Sequence, residues 1–241
     1  MKSVIAKKDK KNGRTEDNGR AVDEAYNAIK NMLYYKELSP GQRIVYGDIA
    51  GKLNMSLTPV IQALNKLEYS DLVYYKPNKG YFVGQITVKE VREIYQARTA
   101  LEIAIIPSII ENISKKDLLL IRNSLKEYEI SLTSLETNRI NMLKDMQFHL
   151  KLAEYSHQTV IQKMLTSLLE RICLKYRPHE YLGDERINKA KKEHRRIFQA
   201  IEMKDEKETI DAIIDHNESS VKFMTGTLNK LKNNYVLNFD S

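Results

Sequence analysis

DIAGKLNMSLTPVIQALNKLEYSDLVYYKPNKGYFV, residues 48–83, is the stretch on which the fold turns. Asp48, Ile49, Ala50 and Leu53 outline a short helix, and Asn54 suits its end because a short polar side chain tolerates left-handed backbone. Pro59 opens another helix, where its missing N–H costs nothing, and Val60, Ala63, Leu64 and Leu67 recur as one buried stripe. Two β-rich runs follow, Leu72 to Lys76 and Gly80 to Gln85, joined by the turn residues Pro77-Asn78-Lys79, which predicts a hairpin. Upstream, Ala21, Val22, Ala25, Ile29, Met32 and Leu33 keep helical spacing until Ser39-Pro40-Gly41 stops the pattern. Three short helices and a two-stranded hairpin over residues 20–86 describe a winged helix-turn-helix, whose third helix enters the major groove of DNA.

Downstream the character changes. From about Val88 there is no strand-like alternation and no Gly-rich loop. Six helices are predicted, roughly 88–112, 115–134, 138–156, 159–177, 184–202 and 205–231. Thr87, Ser114 and Asp184 are their caps, and breaks fall at Asn112-Ile113, Thr137-Asn138, His157, Pro178 and Lys204-Asp205. Such a run packs as an antiparallel bundle of six to seven helices, with ligand or metal sites between facing helices. The fold class is mainly α. The expected organisation is a disordered basic arm over 1–19, the winged helix-turn-helix over 20–86, an all-helical domain over 87–232 and a tail over 233–241.

Composition narrows the rest. The 241 residues carry 39 Lys plus Arg against 32 Asp plus Glu, a formal +7, of which +5 lies in residues 1–88 and +2 in 89–241. The basic excess at one end favours a nucleic-acid partner there, although solvated basic tails are common. The single cysteine, Cys173, forms no intrachain disulfide, which excludes a disulfide-stapled secreted domain and fits a reducing cytoplasm. The nearly apolar run from Ile103 to Ile110 contains Pro107 and falls far short of the roughly 20 residues that cross a bilayer. The N-terminal segment has no apolar core of signal-peptide length, so neither membrane nor export is expected.

LSPGQRI followed by residues 48–83 resembles the winged-helix signature of the GntR transcription regulators. EIYQARTALE, DMQFHLKLAEYSH and EHRRIFQAIEMKDEKETIDAIIDHNES resemble the all-helical (FCD) ligand-binding domain of their FadR-type members. The resemblance implies a homodimeric, cytoplasmic DNA-binding repressor or activator, with repression the favoured direction, whose operator affinity is set by a small carboxylate metabolite. One departure stands out. Family members usually carry Arg on either side of the Thr-Pro-Val step of the recognition helix, and those positions are Leu57 and Ile61 here. A bidentate Arg to guanine is worth about 1–3 kcal/mol of discrimination. Four per dimer amount to about 4–12 kcal/mol, against about 4–10 kcal/mol for the whole specific advantage of a DNA-binding protein.

Guanine readout in the usual manner is therefore lost. In one account, Ser56, Leu57, Thr58, Ile61, Gln62 and Asn65 read an A·T-rich operator, since Gln and Asn suit adenine and apolar side chains suit thymine methyls. Lys52, Lys66, Lys76, Lys79 and the arm would then hold phosphates. In another, specific DNA binding is lost and the helix serves a protein partner. A rotated helix that packs Leu57 or Ile61 inward is a third possibility.

Asp145 and His149, four apart on one predicted helix, share a face, while His194 and His216 lie near the middles of two later helices. Taken alone, each is more often a solvated or satisfied residue than a ligand, and Asp145 with His149 could be only a hydrogen-bonded pair. The resemblance implies more, because the four match its metal-binding Asp and three His. Such a donor set suits a divalent first-row ion, zinc first and nickel or manganese also. Four protein ligands on an octahedral ion leave positions for water or an effector carboxylate. Arg98 matches a family Arg that could fork onto an effector's second anionic group, or it pairs with Glu102 one turn on. His157 and His179 match no ligand position and are expected at the surface. A metal-dependent hydrolase is the enzyme alternative, but no general base is spaced to serve it.

Overall fold

The computed structural model describes residues 19–35, 37–131, 138–176 and 184–237, and the chain divides after Gln85 into two compact units. The arm lies outside the described residues apart from Gly19, as do His179, Pro178 and Thr137.

In the first unit α1 (19–34) buries Val22, Ala25, Ile29 and Leu33. It is followed by β1 (Arg43–Ile44), α2 (Tyr46–Leu53), α3 (Leu57–Tyr69), β2 (Val73–Lys76) and β3 (Gly80–Val83). Asn54 ends α2 at φ 50°, its N–H turned back to the carbonyls of Ala50 and Gly51. The buried stripe of α3 includes Val60, Ala63, Leu64 and Leu67.

The expected two-stranded hairpin is a three-stranded antiparallel sheet in the order β1-β3-β2, with Val73 opposite Val83 and Arg43 opposite Phe82. The strand missing from the sequence reading, β1, is two residues long, too short to show alternation. It is placed by the turn before it. Gly41 sits at φ +81°, and a Cβ there would come within 2.6 Å of the Gln85 amide nitrogen, so only glycine lets the chain fold back there without strain.

The second unit comprises α4 (Val88–Asn112), α5 (Lys115–Ser131), α6 (Asn138–Tyr155), α7 (Thr159–Lys175), α8 (Asp184–Glu202) and α9 (Glu206–Leu237). The helix starts follow their caps: Thr87 accepts from the Glu90 N–H at 3.1 Å, and Ser114 exchanges hydrogen bonds with Asp117. His157 and Lys204 take φ 56° and 57°, the left-handed values that stop α6 and α8. Helix α9 runs on to Leu237, so part of the expected tail is helical. Helix α4 packs against α6, α7 and α9, and α8 packs against α9 and α5. One apolar cluster includes Ile105, Ile109, Leu152, Ile197 and Ile213; another includes Val91, Ile94, Ile172 and Met224. Among the described residues no helix is long and apolar enough to cross a membrane.

Candidate functional site

Polar side chains collect in the interior of the second unit. Asp145 and His149 come from α6, His194 from α8 and His216 from α9, and one ligand atom of each lies within 4.8 Å of the others. All three imidazoles are buried. His194 Nε2 is 3.0 Å and His216 Nε2 3.8 Å from Asp145 Oδ1, and the His194 and His216 rings are 4.5 Å apart at their centroids. Helical spacing explains the α6 pair, and tertiary packing of three helices explains the rest.

The outer nitrogens fix which atoms face the centre. His194 Nδ1 is 2.8 Å from the Ala190 carbonyl and His216 Nδ1 is 3.2 Å from Glu193 Oε2. A carbonyl and a carboxylate only accept, so each Nδ1 carries the proton and each Nε2 presents a lone pair inward. His149 Nδ1 lies 3.0 Å from Glu102 Oε1 but out of line for a hydrogen bond. Among the described residues the buried Nε2 atoms of His149 and His216 have no hydrogen-bond partner. Buried nitrogens left that way need an occupant, and a divalent ion fits three neutral imidazoles and one carboxylate.

The electrostatics agree with that donor set. Burial pushes His216 down to about 3, assisted by the neighbouring His194, and pushes His149 down with the help of Arg98, so both stay neutral at pH 7. Burial alone would raise Asp145, but the close approach of His194, with His149 and His216 around it, outweighs that and holds the carboxyl well below its usual range.

Two further carboxylates each bridge one imidazole of this cluster to one arginine. Glu102 Oε1 accepts from Arg98 Nε at 2.9 Å beside His149, and its Oε2 accepts from Asn217 at 2.8 Å. Glu193 Oε2 accepts from His216 and lies 3.2 Å from Arg186 Nη1. Arg98 is therefore engaged with Glu102, as its spacing allowed, and keeps Nη2 as a buried group without a partner among the described residues. Both arginines line a cavity of about 90 Å³ that reaches Asp145 and is walled by Met142, Ile172, Phe223 and Met224. The sequence reading missed Glu193 and Asn217, whose only signal was adjacency to His194 and His216, and Arg186, which gave none.

In the first unit the proposed reading face is on the outside of α3. Leu57 is 47% exposed, which excludes the inward-packed alternative for that residue, and Ile61 is half-buried. Ser56 is the N-cap residue, and Thr58, Gln62 and Asn65 are exposed, with Asn65 Oδ1 accepting from the Tyr81 hydroxyl. The lysines are distributed differently. Lys66 pairs with Asp23 of α1 at 2.8 Å and Lys52 with Glu37 at 3.2 Å. Lys76 lies over the Tyr74 and Phe82 rings at 5.2 and 5.1 Å, and Lys79 is exposed in the hairpin turn. His157 is exposed.

Residues 21–83 match the model of bacterial regulatory proteins of the gntR family, and residues 93–219 match that of the FCD domain. The "Uncharacterized HTH-type transcriptional regulator YdhC" of Bacillus subtilis is 25% identical over 87% of this chain and 93% of its own length. Among solved structures, Escherichia coli McbR/YncC superposes with a TM-score of 0.74 at 20% identity, covering 85% of this chain and 96% of that one. A GntR regulator from Rhodococcus gives 0.71 at 18% identity over 85% and 97%. A winged helix followed by an all-helical domain of this kind defines a DNA-binding transcription regulator rather than an enzyme. The chain belongs to the GntR family, with an FCD domain as its second part.

Proposed function

We propose that this regulator is a cytoplasmic homodimer that represses transcription from an A·T-rich operator and responds to a small carboxylate held beside a divalent ion in the helical domain. The supporting observation is the convergence of Asp145, His149, His194 and His216, with the outer nitrogens of His194 and His216 already held by Ala190 and Glu193. Zinc is the first choice, and nickel and manganese suit the same donors. A divalent ion held by these four residues would supply a positive centre that attracts a carboxylate. The chain's own part is to hold three neutral imidazoles and one carboxylate at those distances and to keep Arg98 fixed by Glu102 next to them.

Effector binding would favour one arrangement of the helical domains and thereby alter the spacing of the two winged helices, which must match half-sites about 34–36 Å apart. Leu57, Thr58, Ile61, Gln62 and Asn65 would contact bases, with Ser56 at the helix start, while Lys66 and Lys79 would hold phosphates. Elemental analysis of purified protein tests the metal site: one divalent ion per chain is expected, lost in His149→Ala and His194→Ala, and unchanged content in both variants refutes it. Selection from random duplexes at moderate salt tests the operator. The exposure of Leu57 favours a second reading, in which α3 docks a protein, and absence of any enriched sequence selects it.

A further inference from the structure

We infer that the effector is a short monocarboxylic acid with an apolar chain, not a dicarboxylate or a polyhydroxy acid; this rests on the metal-site reading above and specifies its ligand. The inference comes from the charges at one end of the cavity and the chemistry of its walls.

At the polar end, two cations face three anions. Arg98 and Arg186 are each already matched by a carboxylate, Glu102 at 2.9 Å and Glu193 at 3.2 Å, and Asp145 adds a third negative charge 4.0 Å from Arg98. Lys189 reaches Glu193 only from solvent, 59% exposed and 3.9 Å away. The set alone is one charge negative, and a 2+ ion among neutral imidazoles makes it one charge positive. That balance neutralises one carboxylate. A second carboxylate would be buried without a counter-ion, which proteins tolerate poorly. Arg98 commits its Nε to Glu102, and its Nη2, buried and without a partner among the described residues, is left to meet the ligand's carboxylate.

The rest of the lining includes Met142, Leu169, Ile172, Ile187 and Met224, with the Phe223 ring beneath the Arg186 guanidinium at 5.7 Å. The polar groups nearby are largely committed. Ser220 accepts from Arg186 at 3.2 Å and the Tyr95 hydroxyl is turned to the Met224 sulfur at 3.5 Å. Asn141 Oδ1 and the Tyr176 hydroxyl are the exceptions, each buried and without a partner among the described residues. A chain of hydroxyls would therefore leave most of its hydrogen bonds unmade, and a site that cannot pair them rejects them. The volume of about 90 Å³ admits a chain of modest length. At roughly 10–15 Å³ for each water it has room for about six to nine waters.

Three acids of six carbons separate the possibilities: hexanoate, adipate and gluconate, titrated calorimetrically into the zinc-loaded full chain. Hexanoate should bind at least tenfold more tightly than either of the others. From acetate through butyrate to hexanoate, affinity should rise by about fourfold per methylene. Metal-free protein should bind hexanoate at least tenfold more weakly. Met142→Gln, at a half-buried position, should weaken hexanoate several-fold while zinc content stays at one per chain. Adipate or gluconate matching hexanoate overturns the inference. So does stoichiometric zinc with no acid bound, an outcome that leaves the metal site standing. Failure to take up zinc removes the metal site itself and the inference with it.

Discussion

The ion pairs described in the first unit lie at the surface, whereas the second unit, beside surface pairs such as Arg196–Glu208, also keeps some inside. Lys52–Glu37 and Lys66–Asp23 are exposed on both partners, with side chains 53–68% accessible. Arg98–Glu102 is 1% and 4% accessible and shares its carboxylate with Asn217 and the His149 ring. Exposed pairs are worth about 0–1 kcal/mol and exchange freely with other anions, so these lysines can turn to phosphates at little cost. A buried pair has no such freedom. It keeps its position only while both partners are present, which suits a site that must present fixed donors to a ligand.

Several experiments would break or sharpen that contrast. The largest effect is expected from Leu57→Arg with Ile61→Arg, which restores charge to the reading face. Binding to guanine-containing half-sites should improve by about 4 kcal/mol or more per dimer, roughly a thousandfold in a gel-shift titration. No gain would mean that α3 has lost more than two side chains and would favour a protein partner. Next, Glu102→Ala should lower stability by about 3–5 kcal/mol in urea unfolding, because Arg98 is left buried and unpaired. A loss below 1 kcal/mol would show that the interior pair is as dispensable as the surface ones.

Removal of the metal should come third. Free ion at a hundred times its Kd adds about 2.7 kcal/mol, or roughly 5–11 °C in Tm for a chain of this size, and calorimetry of holo and chelated protein measures it. The chelated protein should also lose stability as pH falls from 6.5 toward 3. His216, held down to about 3, resists protonation in the folded state while the unfolded chain takes up the proton from 6.5 downward. The drop should shrink in His216→Ala, with a remainder from His149, which burial also pushes down. Smallest of all, Lys66→Ala should change stability by less than 1 kcal/mol. Lys79→Ala should reduce the salt dependence of DNA binding by about one unit of slope if that lysine holds a phosphate.

The same contrast accounts for what the sequence disclosed. Helix limits were legible because apolar residues recur at 3.6-residue spacing and because Asn54, Thr87 and Ser114 are residues with specific capping chemistry. Asp145 and His149 were readable as a pair, since four residues along one helix is a local relation. Their meeting with His194 and His216 came through the family resemblance, because no local spacing carries it. Glu193 stayed hidden: in NKAKKEHRRIFQ, the stretch of α8 that contains it, an acid among many charges looks solvated, yet its partner is on another helix. Strand β1 was missed for the opposite reason, being too short for any pattern and dependent on Gly41 and the β3 edge.

Helix α9 carries His216 at the ion cluster and Phe223 in the cavity wall, seven residues apart on one continuous rod. Two turns of α-helix separate them by about 10.5 Å along the axis. The separation along the helix axis between the His216 imidazole's position and this part of the wall is thus counted in residues, not left to the conformation of a loop. A ligand chain measured against it meets a ruler, and inserting or deleting residues between His216 and Phe223 would regraduate it.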